Sequence, residues 1–317
     1  MHQTTKYYFP LKNLIGTWLL LLILFTDSFA ADTEKQPRPI VVTIKPLYSL
    51  VAHLTEGIDT PVLLMKQVQS PHHYSMKPSE RTLLEKAKMI IWTGPPMETF
   101  LKKIIQQQKN TAVVVSAMQA KDLILLGKRK KHPANEDRSP AVNKAEAHTI
   151  DPHIWLSVHN AIAISYHIAE ALISNDPHNA GLYEKNLQQL VNKISRTKAL
   201  IEAELRNRAS PFIVFHDAFQ YFENEYQLNY IDSISFDEET GVSLKHIRQI
   251  KADIKNNNIH CLLYQDPKPA IVATLAKQTS IKTIALDPLG LNISDDKNAW
   301  FEIMQQLSAD LNTCLAP

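Results

Sequence analysis

Short, continuous apolar runs alternate with amphipathic segments along most of this chain. The runs predict buried strands, and the segments, with apolar residues three and four positions apart, predict helices. Eight runs are predicted as strands: residues 40–44, 60–65, 89–92, 112–115, 212–215, 230–236, 259–264 and 283–286. The shorter predicted helices cover residues 47–54, 78–88, 98–107, 160–174, 243–256, 270–279 and 298–311. Strands separated by helices of about ten residues are typical of βαβ units and a mostly parallel sheet.

The longest helical pattern divides the strands into two sets. From about Ala180 to Arg208, apolar residues recur at helical spacing, without proline and without glycine after Gly181. At 1.5 Å per residue this helix would be about 40 Å long, enough to run the height of a two-lobed protein. A coiled-coil dimer is the alternative, which the short apolar seam disfavours. The predicted layout is a βα-rich lobe, a long helix and a second βα-rich lobe.

Residues 126–148 interrupt this alternation. After Leu126 the segment carries a cluster of Lys and Arg, then prolines and mixed charges, and almost no large apolar side chain. Such a segment cannot bury a core, so we expect a long mobile insertion. The basic cluster could attract an anionic lipid or a nucleic acid. A solvated loop is the preferred interpretation, because the basic run is short and acidic residues follow it.

The first thirty residues indicate a secretory signal peptide. Lys6 and Lys12 form a positive start, residues 14–25 are apolar, and small residues at 28 and 30 predict cleavage before Ala31. The apolar run is short for an uncleaved membrane anchor. No cysteine lies near the cleavage position, which disfavours a lipoprotein.

Length and composition narrow the remaining possibilities. About 287 residues (317 minus 30) would remain after cleavage, more than one average core needs. We predict a first lobe at 31–178, a linking helix at 179–208 and a second lobe at 209–317. The formal net charge of +2 argues against a nucleic-acid binder, and the seven glycines include no GxGxxG or GxxxxGK[ST] phosphate-binding loop.

The two cysteines, Cys261 and Cys314, both lie near the end of the chain. In an exported protein an even pair favours a disulfide, which would stabilise the fold by about 4 kcal/mol in the chain-entropy model. Two buried thiols are the alternative. Their spacing matches no thiolate zinc motif.

Three of the thirteen histidines stand out: His72 and His216 follow predicted strands, and His153 follows the charged insertion and precedes a predicted helix. Asp287 ends the last predicted strand. Ligands of parallel α/β lobes bind beyond the carboxyl ends of the strands, so these four residues could converge on a cleft between the lobes. Three imidazoles and one oxygen form a tetrahedral site suited to zinc, whereas manganese favours carboxylates. A single histidine is more often a surface or core residue, and Asp287 before a proline could merely cap a turn. For Asp217 we expect a supporting or helix-capping role.

Five ordered stretches between residues 40 and 314 resemble the metal-binding substrate proteins of ABC importers, and among them the periplasmic zinc-binding proteins. They are Ser-Met-Lys-Pro-Ser-Glu (75–80), Trp-Thr-Gly-Pro-Pro-Met-Glu (92–98), Asp-Pro-His-Ile-Trp-Leu-Ser (151–157), Phe-His-Asp-Ala-Phe-Gln-Tyr-Phe (215–222) and Leu-Asp-Pro-Leu-Gly (286–290). The resemblance implies an α/β fold of two (β/α)4 lobes with mostly parallel sheets, joined by one long rigid helix, with a metal site in the cleft between the lobes. It also implies a Cys261–Cys314 disulfide. The implied zinc ligands are His72, His153 and His216, with Asp287 or water as the fourth.

The resemblance also separates the metals. Zinc members resemble this chain in carrying histidine at the position of His216, where manganese relatives carry glutamate. Many members have an acidic residue before the first ligand, and this chain has Pro71, which cannot ligate. Zinc members often have a histidine-rich loop, whereas the corresponding segment here holds only His132 and His148. An accessory metal-scavenging role for that loop is therefore not expected.

The resemblance implies a periplasmic receptor that captures Zn²⁺ as a transported ligand and delivers it to an ABC-type zinc permease in the inner membrane. We expect a monomer with no nucleic-acid partner and no enzymatic activity. The alternatives are a zinc-dependent hydrolase using the same three histidines, a manganese receptor, and a metal-linked adhesin. A hydrolase needs a general base near the metal, and the chain has no HExxH motif.

Overall fold

The computed structural model describes residues 1–7, 38–66, 70–72, 74–108, 111–129, 150–236 and 241–316. The predicted signal peptide lies outside this part of the chain from residue 8 onward, and so does the charged insertion from residue 130 to 148. Both therefore stay predictions. Residues 1–7 are exposed and form no helix or strand. Residues Arg38–Pro317 form one compact unit.

A four-stranded parallel sheet builds the first lobe. Its strands are β1 (Ile40–Val42), β2 (Val62–Leu63), β3 (Met89–Trp92) and β4 (Val113–Ser116), in the spatial order β2-β1-β3-β4. Its helices are α1 (Lys45–Leu54), α2 (Pro78–Lys86), α3 (Lys102–Gln108) and α4 (Val158–Asn175). The central strands β1 and β3 are entirely apolar and entirely buried, as expected for parallel strands covered on both faces.

The long helix α5 (Ala180–Glu204) follows the first lobe. Its 25 residues span about 38 Å at 1.5 Å per residue. Its buried residues face helices of both lobes, so its apolar side is used within the chain and the coiled-coil alternative loses its basis. The helix ends at Glu204, four residues before the predicted end at Arg208. Asn207 adopts a left-handed conformation (φ 65°), which an α-helix cannot continue.

The second lobe repeats the topology of the first. Its strands are β5 (Phe212–His216), β6 (Tyr230–Ser235), β7 (Cys261–Tyr264) and β8 (Lys282–Ala285), all parallel, in the order β6-β5-β7-β8. Its helices are α6 (Gln220–Glu225), α7 (Leu244–Asn256), α8 (Ala270–Thr279) and α9 (Ala299–Leu315). The predicted fold of two parallel α/β lobes with a long helix between them is confirmed. The sequence did not predict α6, because six residues are too few to show a helical period.

The two lobes share one hydrophobic core. A single cluster of buried side chains runs from the first sheet through α5 to the second sheet and α9, and a smaller cluster packs under α7 and α8. Hydrogen bonds also join the lobes directly. Trp155 Nε1 donates to the carbonyl of Pro288 at 2.9 Å, and Trp300 Nε1 donates to the carbonyl of Trp155 at 2.9 Å. The buried Lys45 on α1 forms an ion pair with Asp295 of the second lobe at 3.0 Å.

A disulfide joins Cys261, the first residue of β7, to Cys314 in the last turn of α9. The Cα atoms lie 5.6 Å apart. This confirms the predicted pairing. The disulfide links the C-terminal helix to the end of the sheet at which the strands begin. Among the described residues, no helix combines the length and the apolar character needed to cross a membrane.

Candidate metal centre

Three histidines from separate parts of the chain meet between the lobes. His216 is the last residue of β5, His153 precedes a 3₁₀ turn (Ile154–Leu156) that leads into α4, and His72 lies in the connection between β2 and α2. One nitrogen of each ring lies within 4.8 Å of the others. The ring centroids are 5.4 to 6.1 Å apart. Tetrahedral zinc with bonds of about 2.0 Å needs nitrogen separations of roughly 3.3 Å, so the nitrogens would have to approach one another by at most about 1.5 Å.

Asp151 fixes the orientation of His153. Its Oδ1 accepts a hydrogen bond from the backbone N of His153 at 3.0 Å and lies 2.7 Å from Nδ1 of the same residue. An ionised carboxylate only accepts, so with Asp151 ionised this contact places the imidazole proton on Nδ1, and Nε2 is then the nitrogen that could bind a metal. The two side chains are buried, at 3% and 5% exposure.

Gln265 plays the corresponding part for His216. Its Oε1 lies 3.2 Å from Nδ1 of His216. Gln265 directly follows β7, the strand beside β5, so the carboxyl ends of two neighbouring strands supply the ligand and its support. The sequence analysis did not assign a role to Asp151 or to Gln265. The Asp-Pro-His spacing is a local signal that could have identified Asp151, whereas Gln265 has none outside the strand order.

A cavity of about 120 Å³ opens at the histidines. Its wall also includes Asp151, Asp217 and the exposed Lys128. One water needs a small fraction of this space, so the cavity admits a metal ion together with water.

Asp287 is not part of this cluster. It lies two residues after β8, and its Oδ2 accepts a hydrogen bond from the backbone N of Asn292 at 3.3 Å. Among the described residues, it belongs neither to the group of converging ligand atoms nor to the cavity wall. In this structure the carboxylate caps its own turn. Its role as fourth ligand stays a prediction.

Three buried carboxylates and one arginine lie near the segments that carry His153 and His216. Arg129 Nη1 donates to Asp217 Oδ1 at 2.7 Å, and Nη2 donates to Glu223 Oε2 at 2.6 Å. The guanidinium carbon also lies 3.7 Å from the ring centroid of Tyr230. Burial raises the pKa of Asp151 to about 7. Burial likewise raises the pKa of Asp217 and of Glu223, and the Arg129 guanidinium opposes both rises.

The position of Arg129 corrects one expectation. The segment from residue 126 was predicted as a solvated, mobile loop, but Leu126, Gly127 and Arg129 at its start pack against the protein. Gly127 forms an antiparallel bridge with Ile150, and Arg129 lies on the second lobe. The acids that bind Arg129 come from more than eighty residues away, so no local pattern could reveal them.

Two parallel α/β lobes linked by a long helix, with three histidines converging at their junction, define a two-lobed protein with a metal centre in its cleft. Comparison with known proteins specifies the family. The chain belongs to the ZnuA family, described as the periplasmic component A of the zinc-uptake complex, whose model matches residues 40–314. Proteins of this family are substrate-binding receptors that work with an ABC permease.

Individual relatives agree with this assignment. The chain is 34% identical to the high-affinity zinc uptake system protein ZnuA of Brucella suis biovar 1 (strain 1330) over 336 residues, covering 96% of this chain and 100% of that protein. A crystal structure of ZnuA is similar, with a TM-score of 0.70 and 21% identity, over 86% of this chain and 98% of the other. The Zn(II)-bound ZnuA-like domain of Streptococcus pneumoniae AdcA has a TM-score of 0.68 at 19% identity, over 88% of this chain and 99% of that domain.

Proposed function

We propose that this protein is the periplasmic zinc receptor of an ABC importer. It captures Zn²⁺ through His72, His153 and His216 and delivers the ion to a membrane permease. The observation that carries the proposal is the convergence of three imidazoles, brought by three separate segments to within 4.8 Å of one another. A set of nitrogen ligands without a carboxylate suits zinc better than manganese, which supports the zinc receptor over the manganese receptor.

The geometry suits capture from solution. His153 and His216 are buried and are held by Asp151 and Gln265, so two ligands are oriented before the metal arrives. His72 is only half-buried and forms the side of the centre where an ion can enter. Water, or Asp287 after a movement of its turn, would complete a tetrahedral shell.

The surroundings of the centre support a receptor over a hydrolase. A hydrolase would need a carboxylate beside the metal that is available to take a proton from bound water. Asp217 lines the cavity, but its Oδ1 accepts from Arg129 at 2.7 Å. This oxygen of Asp217 is already engaged by Arg129 and is not available to a metal-bound water, so we propose that the protein has no hydrolytic activity.

The remaining features of the proposal rest on the sequence. We propose that residues 1–30 form a cleaved signal peptide, and that the lobes extend over residues 31–178 and 209–317 on either side of the linking helix (179–208). The mature protein would act as a monomer without a nucleic-acid partner. The near-balanced charge supports the last point.

Metal analysis and variants of single histidines test the proposal. We expect one tightly bound zinc per chain, with zinc preferred over manganese in direct competition. Replacement of His72, His153 or His216 by alanine should weaken zinc binding more than a hundredfold, above the loss of about 10- to 100-fold typical of supporting residues. His159→Gln is the control, because this histidine is exposed on α4 and its Nε2 contacts the carbonyl of Asp122. A His216→Ala protein that binds zinc as tightly as wild type would overturn the proposal.

The pH dependence of binding gives a second test. A protonated imidazole cannot bind a metal, so zinc affinity should fall as the pH drops through the histidine range near about 6.5. Competition with a chelator of known pH dependence measures this. An affinity that stays constant between pH 8 and pH 5 would contradict imidazole ligation.

A further inference from the structure

We propose that Arg129 is a positioning residue of the metal centre, which holds the segments of His153 and His216 together across the cleft and thereby slows release of the metal. This inference rests on the proposed function. It assigns a role to a residue outside the set of three histidines and outside the groups that touch them.

The first link connects Arg129 with His153. The chain runs from Arg129 back to Gly127, which bridges to Ile150. Next to this bridge, the backbone N of Asp151 donates to the carbonyl of Leu126 at 2.9 Å. Oδ1 of Asp151 in turn contacts both the backbone N and the ring Nδ1 of His153. A displacement of the segment at Arg129 therefore moves the carboxylate that orients His153.

The second link connects Arg129 with His216. Arg129 donates to Asp217, the residue that follows His216, and to Glu223 on α6. The acids are buried, with side chains 5% and 3% exposed, and the Arg129 side chain is 24% exposed. A two-pronged guanidinium contact fixes direction as well as distance, because the nitrogen donors lie in one plane. Stacking on Tyr230 restricts the plane further.

Tyr221 closes the connection on the opposite side. Its hydroxyl accepts from the backbone N of Leu126 at 3.1 Å and donates to the carbonyl of Asp151 at 2.8 Å. Tyr221 belongs to α6, the same helix that carries Glu223. The segment between Leu126 and Arg129 is thus attached to α6 at both of its ends, and to the support of His153 in between.

Charge alone predicts the opposite effect, which makes the inference testable. A guanidinium close to a bound cation repels it, so an arginine acting only through its charge would weaken zinc binding. Its removal would then tighten binding, and Arg129→Lys would behave like wild type. A positioning role predicts faster release in both variants, because lysine keeps the charge but cannot reproduce the paired contact with two acids.

The experiment measures zinc dissociation from Arg129→Lys and Arg129→Met by transfer to a chelator in excess. We expect release to accelerate about 10- to 100-fold in Arg129→Met, the range typical of groups that support metal ligands, and less in Arg129→Lys. The absorption spectrum of the Co²⁺-substituted protein should change in the same order, because it reports ligand geometry and not stability.

Arg38→Met is the matched control. Arg38 donates to the carbonyls of Lys86, Ala87 and Thr111, where the first sheet begins, at the edge opposite the histidines. This variant should lose stability and keep the release rate and the Co²⁺ spectrum of wild type. If Arg129→Met does not fold, Arg129→Lys and Glu223→Gln test the inference instead, because both weaken the contact between Arg129 and its acids without removing a whole side chain.

Two results would overturn the inference: wild-type release from Arg129→Lys, or tighter zinc binding by Arg129→Met. Either result leaves the zinc receptor intact, provided that the wild-type protein binds zinc. A wild-type protein that binds no zinc would instead remove the proposed function.

Discussion

Replacement of Asp151 separates metal affinity from stability. This carboxylate is buried, its Oδ1 orients His153, and its Oδ2 has no hydrogen-bond partner among the described residues. If His153 binds the metal as proposed, the negative charge of Asp151 stabilises the metal-loaded protein, whereas the metal-free protein has to bury that charge. Asp151→Asn keeps the size and one acceptor oxygen, and Asp151→Ala removes both.

The two effects have opposite signs and similar sizes. Loss of a group that supports a metal ligand costs about 10- to 100-fold in affinity, or about 1.4 to 2.7 kcal/mol. Burial raises the pKa of Asp151 from 3.8 to about 7 in the folded, metal-free protein. The unfolded chain therefore ionises first, and metal-free stability falls as the pH rises from about 4 to about 7. The shift corresponds to at most about 4 kcal/mol above pH 7.

We expect Asp151→Asn to bind zinc about 10- to 100-fold more weakly than wild type. Without metal at pH 8, this variant should be at least as stable as wild type. Asp151→Ala should bind zinc more weakly still. Chelator competition measures affinity, and urea unfolding of the metal-free proteins at pH 5 and pH 8 measures stability. Asp59→Asn, which breaks an ion pair with Lys88 (2.7 Å) at the protein surface, should change neither affinity nor the pH dependence. Wild-type affinity in Asp151→Asn, or a marked loss of its metal-free stability at pH 8, would refute the reasoning.

Three further predictions concern the scaffold. Burial, assisted by Lys193 and Lys297, lowers the pKa of His53 to about 4, so metal-free stability should fall as the pH drops from about 6.5 to about 4. Because His53 is partly exposed, we expect the loss to be about 1 to 2 kcal/mol, and His53→Gln should remove it in urea titrations across this range. Reduction of the disulfide should cost about 4 kcal/mol of unfolding free energy. Zinc affinity should stay unchanged, because Cys261 starts β7 at the end of the sheet remote from the histidines. An affinity loss on reduction would contradict this expectation. Trp155→Phe removes the hydrogen-bond donor to the carbonyl of Pro288 and should lower stability by about 1 to 2 kcal/mol in thermal unfolding. An unchanged stability would show that this contact between the lobes is unimportant.

The sequence predicted the parts of the molecule that local patterns encode. Continuous apolar runs identified β3 at its observed limits, and helical spacing identified α8 at its observed limits. The strand ends directed attention to His72 and His216, because parallel strands present their carboxyl ends at one end of the sheet. Boundaries were less accurate where tertiary contacts decide them. β2 forms only Val62–Leu63 of the predicted residues 60–65, since β1 offers it only a short partner.

The supports of the ligands could not be predicted in the same way. Gln265 reaches His216 only because β7 lies beside β5, and Arg129 reaches Asp217 only because the first lobe folds onto α6. Each is one polar residue in a polar stretch, and its role comes from a partner distant in sequence. The expectation for Asp287 shows a second limit of prediction from sequence. Its position after β8 is correct for a ligand, but strand position alone does not determine whether a carboxylate faces the cleft or its own turn.

Charge balance explains why a divalent ion fits this particular environment. Asp151, Asp217 and Glu223 are buried beside the segments that carry the ligands, and Arg129 is the cation that pairs with two of them. If all four are ionised, two negative charges remain uncompensated in a region of low polarity, which is unfavourable without a counterion. Three neutral imidazoles add no charge, so a single divalent cation bound to them balances the group. The same burial that raises the pKa of Asp151 in the metal-free protein thus becomes an attraction for the metal. With the proposed ligands, the imidazoles would supply selectivity by ligand type and the carboxylates would supply attraction by charge, so the two properties should respond separately to substitution.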